Sequence, residues 1–287
     1  MTGTGGGADP FGGGSSIMSD DLAEALYDAI EDDSVKAIVF RVSSPGGSPD
    51  ASEQILAAVR AAKKAGKPVV VSMGDYAASG GYWVASEASW IVAQPTTITG
   101  SIGVFGGKFV LDEALNRFGL NMSGVSIGGE YADAMTPERP FNAAERAEFS
   151  AWMDGIYEDF ITRVSAGRKL PAARVREIAR GRVWTGAQAK ELGLVDELGG
   201  LNHAIARAKI LAKLPADEAV RFKRYPEQMG TWEALSEAFG VSGEAARALI
   251  MVGALTSQPE AEAAMEEIRA QRLRSRGSVV LADTPAY

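Results

Sequence analysis

The chain has 287 residues, 46% of them hydrophobic and 23% charged, which is the composition of a globular protein of one or two domains. Its net charge of −8 argues against a nucleic-acid partner, because phosphate binding requires a basic face. The absence of cysteine excludes disulfides, zinc–thiolate sites and a cysteine nucleophile, and the single histidine, His203, excludes a multi-histidine metal site. We expect neither a metal nor another cofactor.

Residues 1–17 are rich in glycine, and we predict a flexible lead-in there. This stretch has no basic region followed by an apolar one, so it is not a signal peptide, and the chain has no run of about 18 apolar residues that would span a membrane. We predict one main domain over residues 18–214. A C-terminal helical extension and tail follow over residues 215–287.

The first half of the main domain alternates strands and helices at short spacing, which predicts an α/β fold with a parallel sheet and right-handed crossovers. Strands are predicted at 35–42, 67–73 and 90–93, with helices at 19–32, 50–65 and 80–87. A turn leading into a strand (96–104), a short helix (110–118), a strand (121–126) and a loop (128–141) come next. Helices are then predicted at 143–166, 172–179, 186–192 and 202–214. Beyond residue 215 we expect a strand at 219–224, helical pieces at 232–255, a charged helix at 260–276 and an edge strand at 278–282.

One serine lies between small residues, directly after the apolar strand at 67–73. Residues 74–84 read Gly-Asp-Tyr-Ala-Ala-Ser-Gly-Gly-Tyr-Trp-Val, with Ser79 where the next helix begins. Small neighbours at a strand-to-helix junction admit a substrate backbone, and the helix start offers unpaired N–H groups, so this is a recurrent way to hold a nucleophile. The ordinary interpretation is that Ser79 is only the N-cap of the helix. Taken alone, the stretch favours that ordinary interpretation.

A second motif, Ser-Pro-Gly-Gly at 44–47, follows the strand at 35–42. Pro45 fixes the approach of the chain, and Gly46 and Gly47 let backbone N–H groups face a carbonyl oxygen, as an oxyanion hole requires. A simple turn is the ordinary interpretation of these four residues alone. Because successive parallel strands end at the same sheet edge, the glycines and Ser79 are expected to converge, and a nucleophile beside N–H donors is the arrangement for acyl transfer.

These two motifs, together with Thr-Gly-Ser-Ile-Gly-Val at 99–104 and Arg-Val-Trp-Thr-Gly at 182–186, resemble the signal peptide peptidase A family. The resemblance covers about residues 21–212. It implies the crotonase/Clp-protease fold, with parallel sheet layers and flanking helices, and a serine peptidase with a Ser–Lys dyad and no histidine. By this resemblance Ser79 is the nucleophile, Gly80 and one of Gly46 and Gly47 (in preference Gly47) form the oxyanion hole, and Ser101 positions the general-base lysine.

The expected lysine is missing. Short-form members of the family have it in a Gly-x-Tyr-Lys-Asp stretch, whereas residues 129–133 here read Gly-Glu-Tyr-Ala-Asp, with Ala132 at the lysine position. Long-form members carry two copies of the fold, of which the N-terminal copy gives the lysine and the C-terminal copy the serine. The chain resembles the C-terminal copy, and we expect it to be a fragment or a truncated product. Lys108 is the fallback base within the chain, although a solvated lysine at a helix start is the ordinary interpretation.

Other polar residues near the motifs give weaker signals. A Ser-His-Asp triad would have to use His203, whose position predicts an ordinary helix-surface residue. Asp75 and Tyr76 lie close to Ser79 and are candidates for tuning the site, although aspartate is ordinary in a turn. A last group lies on the loop that borders the active site in the family, where a loop ion pair is the plain alternative; these residues are Glu130, Asp133, Glu138 and Arg139.

The resemblance implies an endopeptidase that degrades cleaved signal peptides bound in extended conformation. It also implies a homo-oligomer working with a Lys-bearing N-terminal half, at the periplasmic face of the inner membrane, with the anchor in a region outside this chain. Two alternatives stay open. Ala132 motivates a non-catalytic peptide-binding or assembly module. A crotonase-type acyl-CoA enzyme would use the same backbone oxyanion donors without needing a serine at position 79.

Overall fold

The ten-residue strand β2 (Val69–Ala78) is the centre of a six-stranded sheet in the computed structural model. The structure describes residues 17–121, 124, 126–215 and 218–226. These residues belong to one compact unit that extends through Pro226. The remaining strands are β1 (Ile38–Ser44), β3 (Trp90–Ala93), β4 (Ile98–Gly100), β5 (Val183–Thr185) and β6 (Glu197–Leu198).

Strand β2 is long enough to pair with three neighbours. Strand β1 runs parallel to one edge of β2, while β3 and β4 follow one another along the other edge, pairing in parallel with residues 70–72 and 76–78. Strand β6 extends the sheet beyond β3 in parallel, and β5 is antiparallel to β4. The predicted α/β class with a mostly parallel sheet is confirmed. The consequence for the site is that β1, β2 and β4 end close together.

Two of the described helices, α2 and α5, begin at residues whose side chains cap them. Ser48 caps α2, where its hydroxyl accepts the Ala51 N–H (3.4 Å), and Asn142 and Glu145 form a reciprocal capping box at the start of α5. The helices are α1 (Ser19–Glu31), α2 (Pro49–Lys64), α3 (Gly80–Ala85), α4 (Asp112–Asn116), α5 (Ala143–Arg168), α6 (Ala172–Ile178), α7 (Gly186–Glu191) and α8 (Leu201–Leu211).

The alternation of side chains along β2 separates two apolar clusters. Val71 and Met73 face the main core, which helices α2, α3 and α5 complete, whereas Val70 faces the opposite side, where it packs against Ala204 of α8. Both faces of β2 are therefore covered over residues 69–74, which explains the run of β-branched residues at its start. A strand buried on both faces is a rigid support for whatever follows its carboxyl end.

Glu53 on α2 fixes the short helix α3 against its neighbours. Its carboxylate accepts hydrogen bonds from Trp83 on α3 (2.9 Å), Arg163 on α5 (3.1 Å) and Arg60 on α2 (2.6 Å). Burial raises the pKa of Glu53, but the hydrogen bonds from Arg60, Trp83 and Arg163 outweigh it, so the pKa lies below its usual value. Because Trp83 also packs on Phe160, with ring centroids 4.5 Å apart, α3 is held by both polar and aromatic contacts.

Several predicted boundaries are wrong. Strand β2 continues through residues 74–78, beyond its predicted end at residue 73, although Gly74 and Asp75 favour a loop. Residues 121, 124 and 126 are not in a strand, nor are the described residues within 219–224. The predicted elements at 232–255, 260–276 and 278–282 lie outside the described residues, and the domain boundaries stay predictions. In the part of the chain that the structure describes, no helix has both the length and the apolar character needed to cross a membrane.

Candidate active site

Ser79 lies at the sharp junction between β2 and α3, in a backbone conformation that residues with a side chain rarely adopt. Its φ is 52° and its ψ is −124°, which costs about 1–3 kcal/mol and is typical of a nucleophile at a strand-to-helix turn. The Ser79 N–H donates to the Gly100 carbonyl (3.0 Å), and the Ser79 carbonyl accepts the N–H groups of Tyr82 and Trp83 (2.8 and 2.9 Å). Ser79 occupies the N-cap position of α3, but its side chain makes no capping hydrogen bond.

Ser101 is the neighbour of Ser79 across the sheet. Ala78 pairs with Gly100 at the ends of β2 and β4, so each serine directly follows the last paired residue of its strand. Ser101 also has a positive φ of 48°, and its N–H donates to the Arg182 carbonyl (2.8 Å). Both serines are partly buried, and neither hydroxyl makes a hydrogen bond to any residue that the structure describes. The arrangement leaves two hydroxyl groups at one sheet edge, available to a further polar group.

The turn after β1 lies directly against Ser79. A Cβ atom added to Gly46 would come within 2.8 Å of the Ser79 Cβ and 2.9 Å of the Gly80 nitrogen, and the φ of Gly46 is 121°, so only glycine fits. The Gly46 N–H donates to the Ser44 hydroxyl (3.2 Å), whereas the Gly47 and Gly80 N–H groups make no hydrogen bond within the described ranges. Gly47 and Gly80 are therefore the two predicted donors that are available to an oxyanion.

This geometry suits acyl transfer. A serine hydroxyl beside two unpaired backbone N–H groups can attack a carbonyl carbon while the N–H groups stabilise the negative charge that develops on the carbonyl oxygen. The serine needs a base, because its hydroxyl is barely ionised at neutral pH. A lysine with a pKa lowered by burial could serve, and the unpaired hydroxyls of Ser79 and Ser101 offer it two partners.

Lys108, the fallback base, makes its contacts elsewhere. Its ammonium group donates to the Ala134 carbonyl (2.6 Å) and lies 4.4 Å from the centre of the Phe141 ring. Lys108 lines a cavity of about 500 Å³ between residues 106–110 and the start of α5, and neither Ser79 nor Ser101 lines that cavity. These contacts favour the ordinary interpretation of Lys108, and its role as a base stays a prediction without structural support.

The segment that carries lysine in the family is tied to α5 by an arginine. Ala132 is exposed in a turn. The next residue, Asp133, forms an ion pair with Arg139 (3.2 Å), and Arg139 also contacts the carboxylate of Glu145 (2.6 Å). The hydrogen bond from Arg139, followed by that from the Asn142 N–H, lowers the pKa of Glu145 to about 2. The predicted loop ion pair is therefore present at Asp133 and Arg139.

The remaining candidates have ordinary surroundings. The Nδ1 atom of His203 accepts the Gly200 N–H (3.4 Å) at the start of α8, as expected for a helix residue without a catalytic role. Asp75 and Tyr76 are exposed on β2 before the site. Glu130 and Glu138 lie on the same loop as Ala132, and neither contacts Ser79 or Ser101 in the part of the chain that the structure describes.

The support of Ser101 by a distant segment was not predicted. A Cβ atom added to Gly100 would come within 2.8 Å of the Trp184 ring, so the residue before Ser101 can only be glycine. The indole N–H of Trp184 donates to the Ile178 carbonyl (3.0 Å), which fixes the ring. The motif at 182–186 carried part of the family resemblance, but its sequence alone does not show which residue it packs against.

Comparison with known proteins agrees with this geometry. Residues 61–215, more than half of the chain, match the family described as Peptidase family S49. The chain is 46% identical over 199 residues to Protease 4 of Salmonella typhi, covering 69% of this chain and 32% of that protein. It is 38% identical over 208 residues to the chloroplastic serine protease SPPA of Arabidopsis thaliana (72% and 30%), and 31% identical over 193 residues to a putative signal peptide peptidase SppA of Enterococcus faecium (67% and 56%).

The chain spans about a third of the length of the first two of these relatives. The resemblance predicted from the motifs, to the C-terminal region of long-form signal peptide peptidase A, is confirmed, and the curled, mostly parallel sheet is consistent with the crotonase/Clp-protease fold.

Proposed function

Because the chain belongs to peptidase family S49, we propose that it supplies the nucleophile and the oxyanion hole of a Ser–Lys serine endopeptidase. Ser79 is the nucleophile, Gly80 and Gly47 are the oxyanion donors, and Ser101 positions the lysine. The observation that carries this proposal is the conformation of Ser79. Its strained backbone directs an unpaired hydroxyl away from its own helix and toward the edge that it shares with Ser101 and the Gly46–Gly47 turn.

The proposed reaction has two steps that use the same groups. The neutral lysine accepts the proton of Ser79 while the Ser79 Oγ atom attacks the carbon of the peptide carbonyl. The Gly47 and Gly80 N–H groups bind the oxyanion that forms. The lysine then gives its proton to the departing amine, which leaves an ester between Ser79 and the substrate. Water, deprotonated by the same lysine, attacks this ester, and Ser79 recovers its proton as the carboxylic acid departs.

In this proposal the general-base lysine comes from another polypeptide segment, because neither position 132 nor Lys108 supplies it. Ala132 stands at the family's lysine position, and Lys108 is engaged by Ala134 and Phe141. The Lys-bearing N-terminal half of a long-form enzyme is the source that the resemblance implies. The chain then forms half of a composite active site, in a homo-oligomer that also contains this second half.

The proposed substrates are cleaved signal peptides in extended conformation. The Enterococcus relative is named a putative signal peptide peptidase, which supports this substrate class. The small residues around Ser79 leave room for a peptide backbone, as close approach to the nucleophile requires. A location at the periplasmic face of the inner membrane, with the anchor outside this chain, rests on the family resemblance and belongs to the same proposal.

A second candidate is a module that binds peptide or a partner half without cutting it. Ala132 favours this candidate because it removes the only lysine position that the family pattern provides in this chain. The family match, by contrast, argues against a crotonase-type acyl-CoA enzyme.

Peptide cleavage separates these candidates. A fluorogenic signal-peptide substrate is incubated with the chain, with the Lys-bearing N-terminal half of a long-form relative, with both, and with both when Ser79 is replaced (Ser79→Ala). We expect cleavage only by the complete pair, and its loss in the Ser79→Ala pair. Cleavage by the Ser79→Ala pair at the wild-type rate would refute the proposal. A stable complex of the two halves that cleaves nothing would favour the non-catalytic module.

A further inference from the structure

The Ser44 side chain is in contact with the turn that carries the oxyanion glycines. Its hydroxyl accepts the Gly46 N–H (3.2 Å) and lies 3.4 Å from the Gly46 carbonyl oxygen, at the outer limit of a hydrogen bond. Ser44 is buried at the end of β1, where it pairs with Ala77 of β2. A serine hydroxyl that accepts the N–H two residues later closes a local turn without help from another segment.

The backbone of Ser44 also fixes the first turn of α3. A Cβ atom added to Gly81 would come within 2.5 Å of the Ser44 carbonyl oxygen. The helix therefore packs so closely on Ser44 that only glycine fits at position 81. Ser44 therefore contacts both backbone segments that carry the proposed oxyanion donors, namely the turn with Gly47 and the helix start with Gly80.

We infer that Ser44 is a positioning residue whose hydroxyl takes up the Gly46 N–H and thereby leaves the Gly47 N–H to face the substrate carbonyl. This inference rests on the proposed function, because it explains which of two adjacent glycines donates to the oxyanion. Gly46 has a different role, since it lies against Ser79 and Gly80, where a side chain would collide with them. Gly46 thus serves close packing and Gly47 serves catalysis, and the hydrogen bond to the Ser44 hydroxyl determines which glycine has which role.

The experiment measures phosphonylation of Ser79 by a fluorophosphonate, with the Lys-bearing half present, at several probe concentrations. This gives the maximal inactivation rate and the probe concentration at half-maximal rate. Loss of a positioned oxyanion donor lowers reaction rates by about 100- to 1000-fold, so a displaced donor in Ser44→Ala should lower the maximal rate by about 10- to 100-fold. The half-saturating concentration should stay unchanged, and Ser44→Thr, which keeps the hydroxyl, should recover most of the rate.

Ser86→Ala is the matched control, because Ser86 is also buried and its hydroxyl donates to the Trp83 carbonyl (2.8 Å) at the other end of α3. A loss of stability alone would act alike in both alanine variants. Equal rates for Ser44→Ala and the wild type, or equal losses in Ser44→Ala and Ser86→Ala, would overturn the inference.

Amide hydrogen exchange tests the same contact without catalysis and without a variant. In the wild-type chain the Gly46 N–H should exchange more slowly than the Gly47 N–H, and the reverse order would overturn the inference. Absence of Ser79 labelling in the wild type with the Lys-bearing half would instead count against the proposed function, while the exchange result would still decide the role of Ser44.

Discussion

At the scale of single residues, the site depends on backbone conformations that are unfavourable by themselves. Ser79 and Ser101 both have positive φ angles, and hydrogen bonds to the Gly100 and Arg182 carbonyls hold them there. Positive φ angles also occur at Lys169, Arg180 and Lys213, where no role in the site is proposed. Ser79 differs because its ψ of −124° lies outside the left-handed helical region, and strain of this kind persists only where the surrounding structure fixes it. The conformation of Ser79 therefore supports its proposed role.

Gly46→Ala should abolish fluorophosphonate labelling of Ser79. The added methyl group would collide with the Ser79 Cβ and the Gly80 nitrogen, at 2.8 and 2.9 Å, and would displace both the proposed nucleophile and one proposed oxyanion donor. Gly66→Ala is the control, because Gly66 also has a positive φ (79°) but nothing lies within 4 Å of an added Cβ. It should lower stability by about 1 kcal/mol and leave labelling unchanged. Thermal unfolding and intact-mass labelling measure both effects, and normal labelling of Gly46→Ala would contradict the geometry.

Ala132→Lys should restore reactivity to the chain without a second half. The substitution returns lysine to the position that the family pattern gives it, and a correctly placed general base raises rates by about 100-fold or more. The measurement is the labelling rate of Ser79 in Ala132→Lys and in Ala134→Lys, a control that adds the same charge two residues away. Equal rates in the two variants would show that position 132 does not serve the site.

At the scale of secondary-structure elements, the end of β2 positions Ser79, and the start of α5 holds one end of the loop that contains Ala132. Strand β2 continues to Ala78 because β4 pairs with its last three residues and Gly74 permits close contact with Ser43, where an added Cβ would lie 2.4 Å from the serine Oγ. The capping box of α5, together with Arg139, fixes the far end of the loop that contains Ala132.

Glu145→Gln should make the start of α5 less stable at neutral pH. The pKa of Glu145 is lowered from 4.5 to about 2, chiefly by Arg139, so the charged carboxylate stabilises the folded state at pH values above 4.5. This contribution is lost as the pH falls from 4.5 toward 2, so the difference in melting temperature between variant and wild type should shrink over that range. Glu148→Gln, at an exposed position on the same helix, is the control. A difference that stays constant between pH 7 and pH 2 would refute this account.

Arg168→Met should be among the more destabilising substitutions outside the site. The guanidinium group forms two hydrogen bonds with Asp196 (3.0 and 2.5 Å), and its side chain is only 7% exposed. Breaking one partner of a buried pair costs about 3–5 kcal/mol, whereas an exposed pair such as Arg174–Glu177 contributes at most about 1 kcal/mol. Urea unfolding of Arg168→Met and Arg174→Met compares the two, and equal losses would contradict the assignment of Arg168–Asp196 as a buried pair.

The sequence predicts the bounds of helices and strands well where a local signal exists. It fails where a contact with a residue distant in sequence determines where an element ends. The start of α5 follows from Asn142, and β3 from its short apolar run. The end of β2 depends instead on pairing with β4, and a strand through Gly74 has no local signal. In the site, the motifs predicted which residues meet, but the φ of Ser79 and the acceptance of the Gly46 N–H by Ser44 depend on contacts that only the folded chain brings together.

At the scale of the whole molecule, the described residues contain only part of the proposed catalytic apparatus. They bring together the proposed nucleophile Ser79, the two proposed oxyanion donors and Ser101, while Ala132 and Lys108 supply no base at that edge. Several large apolar side chains beyond Ser101 are strongly exposed, and their exposure supports the proposed self-association; the most exposed among the described residues are Phe105, Phe109, Phe118 and Ile127. Sedimentation velocity would test it, and a monomer at all concentrations would refute it.

The central claim is that Ser79 is a nucleophile activated by a lysine from a second half. The most direct measurement treats the chain with a fluorophosphonate, with and without the Lys-bearing half, and locates the adduct by mass spectrometry. We predict an adduct on Ser79 that forms rapidly only when the second half is present. Rapid labelling by the chain alone would contradict the composite site and indicate an internal base, and the absence of any Ser79 adduct under both conditions would contradict its role as a nucleophile.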